Sequence, residues 1–147
     1  MIQRKQTLFL LLAIVLAVVC MSSQVGTLSA EGIVFAKVYN LWISDGQGNR
    51  SLANWPMLAL LLVAAVTSLV AIFMYTKRKL QALLCLVTMM VYVAWYILVA
   101  VLPQWRGGDM TCHWPVVLPA ICIILTFMAR KGILADEKLV RSLDRIR

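Results

Sequence analysis

Three observations predict an all-α membrane protein for this 147-residue chain, a four-transmembrane-helix bundle with a small external β-hairpin and a short C-terminal amphipathic helix. Hydrophobic residues make up 63% of it and charged residues 14%, against about 45–50% and about 25% in soluble domains. The apolar residues gather into four runs, near 7–23, 56–75, 80–102 and 114–129, close to the lengths that cross about 30 Å of hydrocarbon as helices. The charges cluster between the runs. Residues 1–147 therefore read as one integral membrane domain.

The first run opens at Thr7, and Leu8 to Met21 holds no ionisable group besides the thiol of Cys20. At about 1.5 Å per residue it reaches roughly 26 Å, which suits either a short span or the core of a signal peptide. A cleavage site wants small residues, and Leu28-Ser29-Ala30 places a bulky leucine there, while Val19 spoils a lipoprotein-type site at Cys20. A retained span is the better reading.

The segment 24–55 that follows forms an external loop with strand chemistry. Ile33, Phe35, Tyr39, Leu41 and Ile43 share one parity with Lys37, and Val34, Ala36, Val38, Asn40 and Trp42 share the other, the period of a pleated strand. Asp45-Gly46 and Gly48-Asn49 supply turn residues, so a hairpin or strand pair is expected over the outer mouth of the bundle.

The second span starts at Pro56, which a first helical turn tolerates because its missing N–H has no partner there anyway. The third is expected to stop at Pro103. In the fourth, Pro115 suits a first turn, whereas Pro119 removes a hydrogen bond further in and predicts a bend. After Arg130-Lys131-Gly132, the tail 130–147 places Leu139, Val140, Leu143 and Ile146 near one face. Asp136 and Glu137 near the start of that helix and Arg145 and Arg147 near its end complement its dipole. Such a helix lies along the cytoplasmic lipid interface or covers the bundle base.

Orientation follows from the cations. Eleven of the fourteen Lys and Arg residues flank the N-terminus, the Lys77–Lys79 turn and the tail, and three, Lys37, Arg50 and Arg106, lie on the other side. The positive-inside bias puts both termini in the cytoplasm. Trp55, Trp105 and Trp114 sit at the outer ends of spans, where interfacial aromatics belong. The net charge of +8 is thus a topology signal. No basic stripe with interleaved aromatics marks a nucleic-acid binder.

Candidate chemistry is sparse. No Asp, Glu, Lys, Arg or His lies inside the four expected spans, which argues against a small ion-coupled transporter. Thr67, Ser68, Thr88, Tyr92, Tyr96 and Thr126 suit hydrogen bonds within or between helices, and the stripe Tyr92, Trp95, Tyr96 suits packing. Cys112-His113 supplies two metal ligands where three or four are needed. A thiol-redox protein is the alternative function class, resting on Cys20, Cys85, Cys112 and Cys122. It would pair Cys20 with Cys112, although no C-x-x-C motif is present. No catalytic residue, cofactor or metal is expected. The side chains expected to contact anionic lipid head groups, a membrane-protein partner or a second copy of the chain are Arg4, Lys5, Lys77, Arg78, Lys79, Arg141 and Arg145.

Three blocks carry a family resemblance: Met1-Ile2-Gln3-Arg4 with Gln6-Thr7, Lys77-Arg78-Lys79-Leu80-Gln81 with Leu84-Cys85, and Asp136 to Ser142 with Asp144, Arg145 and Arg147. Over its full length the chain resembles a bacterial family of small four-span membrane proteins, the domain of unknown function 4293. The resemblance implies a multi-pass protein of the bacterial inner membrane and transfers no activity, cofactor or catalytic residue. All three blocks fall on the side assigned to the cytoplasm. The second external loop, with Gly107-Gly108 and Cys112-His113, lies outside the resemblance.

Overall fold

The computed structural model describes residues 2–144, with side chains for 5–142. Four long helices, α1 (Ile2–Ser22), α2 (Trp55–Phe73), α3 (Arg78–Arg106) and α4 (Val117–Asp144), stand side by side. A five-stranded antiparallel sheet closes one end. Its strands are β1 (Gln24–Ala30), β2 (Ile33–Tyr39), β3 (Ile43–Asp45), β4 (Arg50–Ser51) and β5 (Asp109–Cys112), in the order β4-β3-β2-β1-β5. We refer to this as the sheet end and to the opposite end, where α1 starts and α4 finishes, as the tail end.

All four helices are long and apolar enough to cross a membrane. Their outward faces are apolar too: Leu11, Val15 and Val18 on α1, Leu62, Val66 and Leu69 on α2, Leu83, Met90 and Ile97 on α3, and Ile124 and Phe127 on α4 are exposed. The interior mixes large side chains such as Trp95, Tyr92, Leu10 and Leu61 with small ones, Ala13, Ala17, Ala64, Ala71, Ala82 and Ala129, all fully or nearly buried. Small side chains let helix backbones approach closely, which is how helices associate where the surroundings are as apolar as leucine.

Three helix boundaries differ from the sequence expectation. Pro103 does not end α3, which continues one turn to Arg106. Gly107 ends it, at φ 66, with its N–H donating to Pro103 O at 2.9 Å, the left-handed geometry glycine adopts without penalty. Pro119 falls at the third position of α4, after a short 3-10 turn at Trp114–Val116. In that first turn its missing N–H has no intrahelical carbonyl to serve, so the expected bend loses its cause. The tail is not a separate helix: α4 runs unbroken through Arg130-Lys131-Gly132 to Asp144. Gly132 is there for packing, since a Cβ at this position would stand 3.1 Å from Cγ and Nε2 of Gln6 in α1.

The expected hairpin is present but built differently. The chain leaves α1 directly into β1, and Glu31 (φ 51) and Gly32 (φ 81) form the two-residue turn into β2, the positive-φ pair that matches strand twist. Of the two parities in β2, Ala36 and Val38 face inward, whereas Lys37 is exposed. The strand stops at Tyr39, and Asp45-Gly46 with Gly48-Asn49 turns β3 into β4. From the segment between α3 and α4, β5 joins β1, with Gly26 opposite Cys112 and Ser29 opposite Asp109. Only glycine fits at 26, where a Cβ would sit 2.6 Å from Thr111 O. Val25, Leu28, Ala36, Val38 and Ile43 then pack on Met57, Leu61, Trp95, Val99 and Leu118 of the helices in one core. A second buried cluster, Leu10, Ala71, Ala82, Cys85, Ala129 and Ile133, occupies the tail end.

Candidate functional site at the tail end

Each helix buries one stripe of residues at helical spacing, and three of these stripes end in polar side chains at the tail end. On α1 the buried positions are Gln6, Leu10, Ala13, Ala17 and Cys20. On α3 they are Gln81, Cys85, Thr88, Tyr92, Trp95 and Val99, and on α4 Leu118, Cys122, Thr126, Ala129, Ile133 and Asp136. Gln6, Gln81 and Asp136 are only 6–7% exposed. Burying such groups is costly unless they find partners.

The partners lie across the bundle. Gln6 Nε2 donates to Asp136 Oδ2 at 2.6 Å, and the Arg78 guanidinium donates to the backbone oxygen of Asp136 at 2.9 Å. A carboxylate acceptor shortens and strengthens the first of these bonds. Around it, Gln6, Thr7, Tyr75, Arg78, Gln81, Ile133 and Asp136 enclose a cavity of about 20 Å³, enough for a single water molecule. Arg130 of α4 is half-buried near Cys85 of α3, with its Nε shielded from solvent and without a hydrogen-bond partner. The expectation that Asp136 complements a helix start is therefore corrected, because α4 is continuous there and the carboxylate turns inward to Gln6.

Of the seven expected contact residues, the structure brings four into relation here. Arg78 is half-buried and tied to Asp136, while Lys5 of α1, Lys77 before α3 and Lys79 in its first turn are exposed and adjoin Gln6 and Arg78 in the chain. Arg141 is exposed and engaged with Glu137 one turn earlier, at 3.3 Å, an i,i+4 pair of small energetic weight. Arg4 lies in α1, and its side chain, like the whole of Arg145, lies outside the described residues. Gln6, Gln81 and Asp136 were not singled out as site residues in the sequence. Their signal was helical spacing: each falls in register with a run of buried small or apolar residues.

The other candidates sit elsewhere. All four cysteines are free. Cys20 is buried, its Sγ facing Pro115 O at 3.7 Å, and Cys122 Sγ faces Ala13 O at 3.4 Å. Cys112 is exposed on β5, so the structure does not pair it with Cys20. His113 is exposed next to it, and no group of three or more His, Cys, Asp or Glu side chains converges among the described residues. In mid-bundle the Thr67 and Thr88 hydroxyls meet at 2.9 Å between α2 and α3, and Thr126 donates to Cys122 O, the helix-to-helix and in-helix bonding expected of them. Tyr92 and Trp95 are fully buried, and Tyr96 meets Trp95 edge-on at 5.2 Å.

At the sheet end a second polar junction holds the sheet to the bundle. Asn40 is fully buried, donates from Nδ2 to Cys20 O at 2.6 Å, and accepts from Trp95 Nε1 at 3.0 Å. One side chain of the β2–β3 connection thus satisfies the end of α1 and the indole of α3 together.

A family model described as a domain of unknown function (DUF4293) matches residues 2–146. No curated protein matches the chain.

Proposed function

The chain belongs to the DUF4293 family, a domain of unknown function matched over nearly all of its length, and we propose that it is a non-enzymatic accessory component of the bacterial inner membrane. In this reading the four helices span the bilayer, both termini and the Lys77–Lys79 turn are cytoplasmic, and the tail end is the face that meets anionic lipid or a partner protein. One observation carries it. The three blocks that define the resemblance converge in space through the Gln6–Asp136 and Arg78–Asp136 bonds, and the exposed Lys5, Lys77 and Lys79 adjoin Gln6 and Arg78 in the chain. The inward polar groups brace the ends of α1, α3 and α4 against one another. The outward cations are then held at defined spacing, which favours an anionic surface by about 1 kcal/mol per residue.

The experiment is crosslinking in native membranes from photoreactive side chains at positions 5, 77 and 79, with a Lys5→Glu, Lys77→Glu, Lys79→Glu triple variant as control. A discrete partner or anionic-lipid adduct in the wild type that the triple variant loses is the expected result. A face that captures neither, and whose charge reversal leaves insertion and growth unchanged, overturns the proposal.

A further inference from the structure

We propose that the sheet end of the seam between α2 and α3 holds one glycerophospholipid, its acyl chain along the seam and its phosphate at Arg106. This rests on the reading that the helices cross a bilayer, and it is independent of the partner face at the tail end. An open apolar trough of about 450 Å³ runs between the helices past Ala59, Leu60, Val63, Ala94 and Leu98. Small side chains at 59 and 94 leave volume that the facing helix does not fill. Pro56 and Leu98 border both the trough and a second cavity of about 320 Å³, within the range of small-molecule sites.

The walls of that cavity are apolar apart from Asn54 and Arg106. Asn54 is 2% exposed and donates from Nδ2 to Tyr39 O, and its Oδ1 is shielded from solvent. Arg106 is exposed at the cavity's edge and forms no ion pair among the described residues. A cation at the end of a hydrocarbon trough matches a phosphate ester joined to a long alkyl chain. An apolar helix from another protein would cover the trough and bring no anion to Arg106.

The test is native mass spectrometry of the full-length chain, delipidated in detergent and titrated with phosphatidylglycerol or with diacylglycerol of the same chain length. One phosphatidylglycerol per chain is expected, held more tightly than diacylglycerol. Arg106→Gln is expected to weaken phosphatidylglycerol about fivefold, roughly the weight of one basic residue beside an anionic group, and to leave diacylglycerol unchanged. Ala94→Trp fills the trough and is expected to weaken both. Should Ala94→Trp misfold by circular dichroism, the surface variant Arg106→Gln decides alone. Absence of saturable lipid, retention indifferent to Arg106, or a dimer that occupies the trough overturns the inference. Failure to enter a bilayer at all would instead overturn the membrane reading, a separately visible outcome.

Discussion

Gln6 and Asp136 stand 130 positions apart and share a 2.6 Å hydrogen bond inside the tail end of the bundle. Asp136→Ala leaves the Gln6 amide buried without its acceptor and is expected to cost about 1–3 kcal/mol. The readout is a lower unfolding midpoint in detergent. Asp136→Asn keeps an acceptor oxygen and is expected to lose about half as much. An alanine variant as stable as the wild type would remove this bond from the account of the fold.

Gly132 offers a sharper test, because helix propensity and packing pull in opposite directions. Glycine to alanine in a helix ordinarily stabilises by about 1 kcal/mol. Here the new Cβ would come to 3.1 Å from the Gln6 side chain, which its bond to Asp136 holds in place. Gly132→Ala is therefore expected to destabilise the wild type. In a Gln6→Ala background, where the obstruction is gone, the same change is expected to become neutral or stabilising, and a double-mutant cycle measures the coupling.

Trp95→Phe removes the donor to Asn40 Oδ1 while keeping most of the ring packing. A loss of about 1–3 kcal/mol is expected. Asn40→Ala should cost more, since it removes both bonds of that side chain and leaves the Cys20 carbonyl only the Ser23 N–H. Both variants are expected to expose the sheet to protease at the β1–β2 hairpin before the helices unfold. Simultaneous loss of sheet and bundle would show that the junction is not what docks the sheet.

The cysteines give a test of both chemistry and sidedness. With Cys112 exposed and Cys20, Cys85 and Cys122 buried, a membrane-impermeant maleimide added to intact cells is expected to label one thiol per chain, at Cys112. The other three should react only after denaturation. Labelling that first requires a reductant would revive the Cys20–Cys112 disulfide and the redox alternative. Labelling confined to inverted vesicles would reverse the proposed orientation.

Much of the bundle was legible in the sequence because it depends on composition along a continuous segment. Runs of apolar residues, prolines at 56 and 115 and the grouping of Lys and Arg place the four helices without reference to their neighbours. The strand alternation from Val34 to Val38 likewise announced a pleated segment, and the structure shows Ala36 and Val38 on its buried side. Punctuation was less legible. Pro103 and Gly132 look like stops, yet the helix continues past each: α3 runs on to Gly107, whose positive φ ends it, and at 132 the close approach of Gln6 in α1 leaves room only for a glycine.

The sequence by itself determined that there are four apolar spans and roughly where each lies, since hydrophobicity and backbone propensity act over residues that are neighbours in the chain. Only the tertiary structure decided that β5 joins β1, that Asp136 turns inward to Gln6, and that Asn40 ties α1 to α3. Each of these joins groups far apart in the chain, and a hydrogen bond is specified by distance and angle, which exist only once the backbones that carry its donor and acceptor have been packed together.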